Sequence, residues 1–318
     1  MTGSEVLLAA GVDAVVGDPR WLPHPVRVMG RGIAWCDEHV RMICRGPGGL
    51  RLAGFCLALG LPVCVYAAGL ATIEATGSLS GWFGTAVSIL LASTTLAGRD
   101  LWNHAQAVRA HLQQGNLHGA RLAVAMIVGR DTEELSESDI TRATIETVAE
   151  STSDGIIAPL FYLAIGGAPL ALAYKAVNTL DSMIGHRDAR YIDFGWASAK
   201  LDDAANWVPA RLTALLLILA AGLLTGQVDR MRQGWRVLVR DGGKHPSPNS
   251  GRPEAAMAGV LGVRLGGRSN YDGVPHERPF MGEGLRGVAL EDAVIAMRIM
   301  ALTFLLGVLT AAGCLWFV

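Results

Sequence analysis

The chain is 318 residues long, 51% hydrophobic and only 17% charged, with a formal net charge of −1, a pI near 6.7 and a mean hydropathy of +0.35. Soluble domains carry about a quarter charged residues, so this depletion argues against a pair of soluble domains. The near-neutral charge balance gives no reason to expect a nucleic-acid partner.

The N-terminal EVLLAAGVDAVVG is short and interrupted by Asp13. It lacks the basic start and cleavage site of a signal peptide and reads as a weak first span whose aspartate faces protein. DPRWLPHPVRVMG then opens an Arg-rich connection, Asp18–Arg51, in which His24 sits between prolines as a ligand, a phosphate contact or a structural histidine. Leu52–Ile73 and Ala75–Gly98 are charge-free except for Glu74 between them, and predict a helical hairpin turning near Gly77–Gly81. The connection Arg99–Asp154 is helical by pattern, with Ser136-x-x-Asp139 as a capping pair ahead of ITRATIETVAE.

The apolar run Gly155–Tyr174 follows, and Gly166-Gly167-Ala168-Pro169 can break it into two half-helices, which irregular backbone allows where it lines a cavity. After the polar connection Lys175–Arg211 come the run Leu212–Val228, the connection Asp229–Arg298 with its loop DGGKHPSPNSGRPEAAMAG, and the run Ile299–Val318. The third and fourth connections are both basic although a span should separate them, so the excess of Lys and Arg leaves their sides open. Cys36, Cys44, Cys56, Cys64 and Cys314 contain no C-x-x-C and predict inert thiols. No strand alternation or internal repeat stands out. The expectation is an all-α polytopic membrane bundle of about five to six spans, forming one membrane domain over 1–318.

Chemistry concentrates between Glu146 and Asp203, where polar groups abut the apolar run. Charge at a membrane is costly and usually survives there because it binds or transforms something. Glu146, Glu150 and Asp154 recur every four residues and share one helical stripe, with Asp154-Gly155 as the expected helix end. Such a stripe repels itself unless a divalent metal or nearby basic groups lie among it. Lys175, Asn178 and Asp181 share another face, with Lys175 free to pair with the stripe, hold a phosphate or snorkel. Asp202 and Asp203, followed by Asn206, suit magnesium on a diphosphate or an N-cap for the next span. In the loop, His245, Ser247, Asn249, Ser250, Arg252 and Glu254 offer an anion site ahead of a helix opened by Pro253. No P-loop, Gly-x-Ser-x-Gly elbow or H-E-x-x-H occurs.

Five stretches taken together, GDPRWLPHPVRVMG, ETVAESTSDGIIAPLFY, YKAVNTLDSMIGH, DDAANWVPARLT and SPNSGRPEAAMAGVLGVRLGG, resemble in order the signatures of the cobinamide-phosphate synthase family of cobalamin biosynthesis, CbiB or CobD. The resemblance spans nearly the whole chain. It implies a multi-pass cell-membrane ligase that uses ATP and Mg2+ to join (R)-1-aminopropan-2-ol, or its phosphate, to a propionate of adenosylcobyric acid. On that reading the catalytic candidates are Glu146, Glu150, Asp154, Lys175 and Asp181. The metal ligands are Glu150, Asp154, Asp202 and Asp203. Arg20, His24, Asn178, Asn206, Arg211, Ser247, Asn249, Arg252 and Glu254 bind substrate or phosphate. The partners are the corrinoid, the amine and membrane lipid, with a homo-oligomer or neighbouring cobalamin-pathway enzymes compatible.

Two other readings compete. A membrane prenyltransferase would use Asp202-Asp203 and Asn178-x-x-Asp181 as paired magnesium motifs but needs a second full acidic motif. A transporter would explain broken spans and an intramembrane Asp13 and Lys175, but the hydropathy shows no paired halves.

Overall fold

The computed structural model describes residues 1–18, 24–44, 46–271 and 273–316, so Arg20 and part of the first Arg-rich connection lie outside the described residues. In chain order the elements are α1 (Gly3–Val16), α2 (Pro25–Ile43), α3 (Pro47–Leu79), α4 (Gly81–Ser93), α5 (Gly98–Gln113), α6 (Leu117–Ala125) and α7 (Glu137–Thr152). A π-helical turn (Ser153–Ile157) leads into α8 (Ala158–Ile184). Then come α9 (Trp196–Ala205), α10 (Trp207–Thr225), α11 (Val228–Asp241), α12 (Gly251–Leu261), β1 (Leu265–Tyr271), β2 (Val274–Met281) and α13 (Leu290–Trp316).

Five helical stretches are long and apolar enough to cross a membrane: Pro47–Leu79, Gly81–Gln113, Glu137–Ile184, Trp207–Thr225 and Leu290–Trp316. The architecture is therefore a polytopic helical membrane bundle. The expected first span is not among them: α1 has 14 residues, about 21 Å at 1.5 Å per residue, against an apolar core of about 30 Å. Asp13 on it is buried, as a protein-facing aspartate should be.

The chain forms two compact units, Met1–Ala97 with Ala158–Asn206 and Val308–Val318, and Gly98–Ile157 with Trp207–Gly307. In the first, α3 and α4 make the expected hairpin, turning at Ser80. Gly77 and Gly84 close the turn, where a Cβ on Gly84 would come 2.7 Å from the Gly77 backbone. The second half of α8 runs antiparallel to α3. Leu180 and Ile184 pack with Leu50, Ala53 and Leu57, Leu172 and Ala176 with Leu61 and Val65, and Gly69 meets Pro169 and Leu172.

The apolar run is broken where the glycines stand. Gly166 (φ −143°, ψ 19°) and Gly167 (φ 67°, ψ −165°) leave helical geometry just before Pro169. The rings of Tyr162 and Tyr174 stack with centroids 4.9 Å apart, whereas twelve residues of straight helix would separate their Cα atoms by about 18 Å. The two halves thus double back on each other. Their hydroxyls reach neighbouring acceptors, Tyr162 the Ala205 carbonyl at 3.0 Å and Tyr174 Asn206 Oδ1 at 2.8 Å.

In the second unit, α5, α6 and α7 close around Val108, Leu112, Val124 and Ile140. The capping box forms as the sequence suggests, with Ser136 and Asp139 satisfying each other's backbone N–H at the start of α7. Gly234 lets α11 approach Ile218 of α10 and Val260 of α12. The antiparallel β1–β2 hairpin was not foreseen. Its strands carry Gly266, Gly267, Pro275 and Pro279 in place of an alternating apolar pattern. The dipeptide Asp272-Gly273, between the paired Tyr271 and Val274, is the hairpin signal the sequence held.

Candidate functional site

Each unit gathers its own set of the sequence-derived site residues. In the second unit the helical stripe of α7 is the base. Glu146 is buried and accepts hydrogen bonds from Arg130 and from the Gly266 N–H at 2.8 Å. Arg278 and Arg142 lie 3.7 and 3.9 Å away. The strand register slips between Leu265 and Gly267, which frees the Gly266 N–H from the ladder and presents it to the carboxylate. One turn on, Glu150 Oε1 accepts from Ser250 Oγ at 2.8 Å, tying α7 to the N-cap position of α12. Arginines therefore supply the positive charge that the stripe requires at Glu146.

The stripe ends differently from expectation. Asp154-Gly155 does not terminate the helix, because both lie in the π-turn that carries the backbone on into α8. A π-turn adds a residue to the local repeat, so Asp154 does not keep the strict four-residue register of Glu146 and Glu150.

The loop before α12 folds on itself. Ser247 Oγ accepts from the N–H groups of Asn249 and Ser250, each at 3.3 Å, and His245 Nδ1 accepts from the Ser247 N–H at 3.0 Å. The other ring nitrogen, Nε2, touches Arg278 and lies 3.9 Å from Glu254. Gly251 allows this packing, since a Cβ there would lie 2.9 Å from the Gly242 carbonyl oxygen. Burial, reinforced by the Arg278 charge, lowers the His245 pKa.

Glu254, in the first turn of α12, is fully buried, and its Oε2 has no hydrogen-bond partner. Desolvation, with Glu146 and Glu150 close by, raises its pKa well above the usual carboxylate value despite Arg278 at 3.3 Å. Burial works against the charge of Arg278, but Glu254 and Glu146 outweigh it and raise its pKa.

A cationic patch lies in the same unit. Arg252 makes no ion pair among the described residues, and its Nε is buried without a hydrogen-bond partner. Its charge acts on Arg211, which is steadied by the Trp207 carbonyl at 2.6 Å and by the Trp207 ring at 4.1 Å. Two guanidinium groups near enough to act on each other, neither ion-paired with a carboxylate among the described residues, suit an anion.

The first unit holds the other acids. Asp202 is buried and bonded by amides: Asn206 Nδ2 donates to its Oδ1 at 2.9 Å, and Asn178 hydrogen-bonds it as well. Asn206 in turn accepts from Tyr174. Desolvation, then the charge of Asp181, raises the Asp202 pKa to about 7. Both aspartates of the pair lie inside α9, with Asn206 as its C-cap, so neither caps the next span. Asp203 pairs with Lys200 at 3.3 Å. Lys175 is half-buried on α8. His24 caps α2, its Nδ1 accepting from the Val26 N–H at 3.3 Å and its Nε2 lying 3.0 Å from Asp18.

Among the described residues no group of three or more His, Cys, Asp or Glu could hold a metal ion. Magnesium needs only one or two carboxylates beside substrate phosphates, and the Asp181–Asp202 pair fits that donor set. Arg130, Arg142, Arg278, Tyr162 and Tyr174 were not singled out by sequence reasoning. Only Arg142 had a local signal, standing four residues before Glu146.

The CobD/Cbib protein family matches residues 6–300. The chain belongs to the CobD/CbiB family. A cobalamin biosynthesis protein CobD of Geobacter metallireducens is 48% identical over 292 residues, covering 89% of this chain and 87% of the relative. A cobalamin biosynthesis protein CbiB of Salmonella typhimurium is 43% identical over 308 residues, covering 95% of each. A CobD of Klebsiella pneumoniae is 46% identical over 290 residues, covering 91% of this chain and 90% of that one. No solved structure matches the chain. As a CobD/CbiB member it is a biosynthetic enzyme of the cobalamin pathway.

Proposed function

We propose that this CobD/CbiB member is an acid–amine ligase of the cell membrane. It would join (R)-1-aminopropan-2-ol, or its phosphate, to a propionate of adenosylcobyric acid, with ATP as co-substrate. The observation that carries the reading is the Arg211–Arg252 pair: two cations near enough for one charge to act on the other, one with a buried and unbonded Nε, beside the loop that leads into α12. Activation of a carboxylate by ATP develops negative charge on phosphoryl oxygens, and guanidinium groups held ready for it lower the barrier.

The propionate oxygen attacks the γ-phosphorus and ADP leaves. The amine then attacks the acyl carbon, inorganic phosphate leaves, and a base takes the ammonium proton. Asp202, with a pKa near 7, and Asp181 suit the cationic partners of this reaction, the ammonium or Mg2+. When bound, magnesium would neutralise and orient phosphate oxygens. Ser247 and Asn249 order the loop beside the arginines, and Asn178 and Asn206 hold Asp202 in place.

The test is incubation of the protein in nanodiscs with adenosylcobyric acid, aminopropanol phosphate and Mg-ATP, followed by corrinoid mass analysis. A corrinoid mass increase equal to the amine less water is expected; an unchanged mass with folded protein sinks the proposal. Arg252→Ala should lower kcat/KM by about a hundredfold, as expected for loss of a charged contact to phosphate.

A further inference from the structure

Two helices, one in each unit, carry a largely exposed apolar strip; on α2 only the His39 ring, stacked on Trp35 with centroids 4.2 Å apart, lies over it among the described residues. On α11 the strip is Val228, Trp235 and Val239; on α2 it is Val28, Trp35 and Met42. All six side chains are between 53% and 64% exposed. At 100° per residue each strip falls within a sector of about 40°. The opposite faces are buried, Gly234, Val237 and Leu238 on α11 and Met29, Ile33 and Asp37 on α2. Each helix therefore has a protein side and a separate apolar side.

Arginines line one edge of each strip: Arg232 and Arg236 on α11, Arg27 and Arg31 on α2. Arg31 and Arg236 make no ion pair among the described residues, and Arg232 pairs only with the exposed Asp229 at 3.1 Å. An apolar strip with a central tryptophan and arginines along its edge is the pattern of a helix lying in the membrane interface.

Chain connectivity points to the same occupant. α11 starts at Val228, directly after the membrane-length α10 ends at Thr225, and α2 ends at Ile43, just before the membrane-length α3 begins at Pro47. At about 3.6 Å per residue, links of two or three residues hold each helix within about 15 Å of an apolar helix end. Only 17% of the most apolar window of α3 is buried in the protein, so lipid must cover the rest. Near that end, the Arg51 guanidinium lies 4.5 Å from the centre of the Trp196 ring, an arginine–tryptophan pairing suited to headgroup depth.

We propose that α2 and α11 are in-plane interfacial helices that bind anionic phospholipid headgroups. Trp35 and Trp235 anchor them, and Arg31, Arg232 and Arg236 make the headgroup contacts.

The test uses the full chain in nanodiscs of phosphatidylcholine, alone or mixed with phosphatidylglycerol, each with brominated analogues. Trp35→Phe and Trp235→Phe should each remove part of the tryptophan emission that bromolipid quenches. If neither does, and the lost emission is the part quenched by aqueous acrylamide, these faces meet water or a protein partner and the proposal fails. Arg31→Gln and Arg236→Gln should each weaken phosphatidylglycerol retention about fivefold, as read by lipid mass spectrometry. Unchanged retention in both variants overturns the headgroup assignment. The tryptophan readout does not depend on how the arginine variants fold.

Discussion

The acids of the first unit and those of the second meet burial in opposite ways. In the second, Glu146 is surrounded by Arg130, Arg142 and Arg278, and a backbone N–H completes its shell. In the first, Asp202 is held by the amides of Asn206 and Asn178, with a second aspartate nearby that raises its pKa. A buried carboxylate with its own guanidinium partners is fixed in charge and position. One held by amides keeps a negative site open to an incoming cation. The arginine-bound cluster thus reads as a scaffold, and the amide-bound Asp202, on the proposed function, as a place where charge changes during turnover.

Removing Glu146 tests the scaffold half most severely. Glu146→Ala leaves the buried Arg130 without its carboxylate and should cost about 3–5 kcal/mol, read as a lower Tm of the protein in nanodiscs. A loss below about 1 kcal/mol would show that the cluster does not hold the second unit together.

Asp202→Asn tests the other half, with the opposite sign. The folded-state pKa of Asp202, about 7, lies above the usual 3.8. Its contribution to stability is therefore fully present below about pH 4 and is lost as pH rises through 7. Asn at this position should remove that part of the pH dependence and stabilise the protein at pH 8 by about 1–4 kcal/mol, while abolishing amide formation. A variant less stable than wild type at pH 8 would mean that Asp202 is paired with a cation after all.

Gly167→Ala forces a side chain onto φ 67° and should destabilise the fold-back of α8 by about 1–2 kcal/mol, measured by denaturant unfolding. No change would mean that the reversal does not depend on this glycine. Smallest is Ser250→Ala, which loses the hydrogen bond to Glu150 at about 1 kcal/mol. Its measurable sign is faster hydrogen exchange in the first turn of α12; unaltered exchange would show that the bond does not tie the loop to α7.

Much of the frame was legible in the residues. The apolar runs became helices, Ser136 and Asp139 capped α7, and α8 is broken at the glycine pair that the sequence offered as a possible break. Each of these is a local property, decided by residues within a turn or two. The helix end expected at Asp154-Gly155 failed because a π-turn continues the backbone, and tertiary packing outweighs one glycine. The β hairpin escaped because its only clear signal, Asp272-Gly273, is two residues long.

By itself the sequence determined that this is a helical membrane protein, which residues share a helix face, and, through five ordered motifs, its family. Only the tertiary structure decided what each charge meets: arginines from residues 130 and 278 converge on Glu146, and Asn178 and Asp181 come up against Asp202. Electrostatic partnership acts over a few ångströms in space but joins residues as far apart in sequence as 146 and 278, 132 positions. No local pattern of spacing records it.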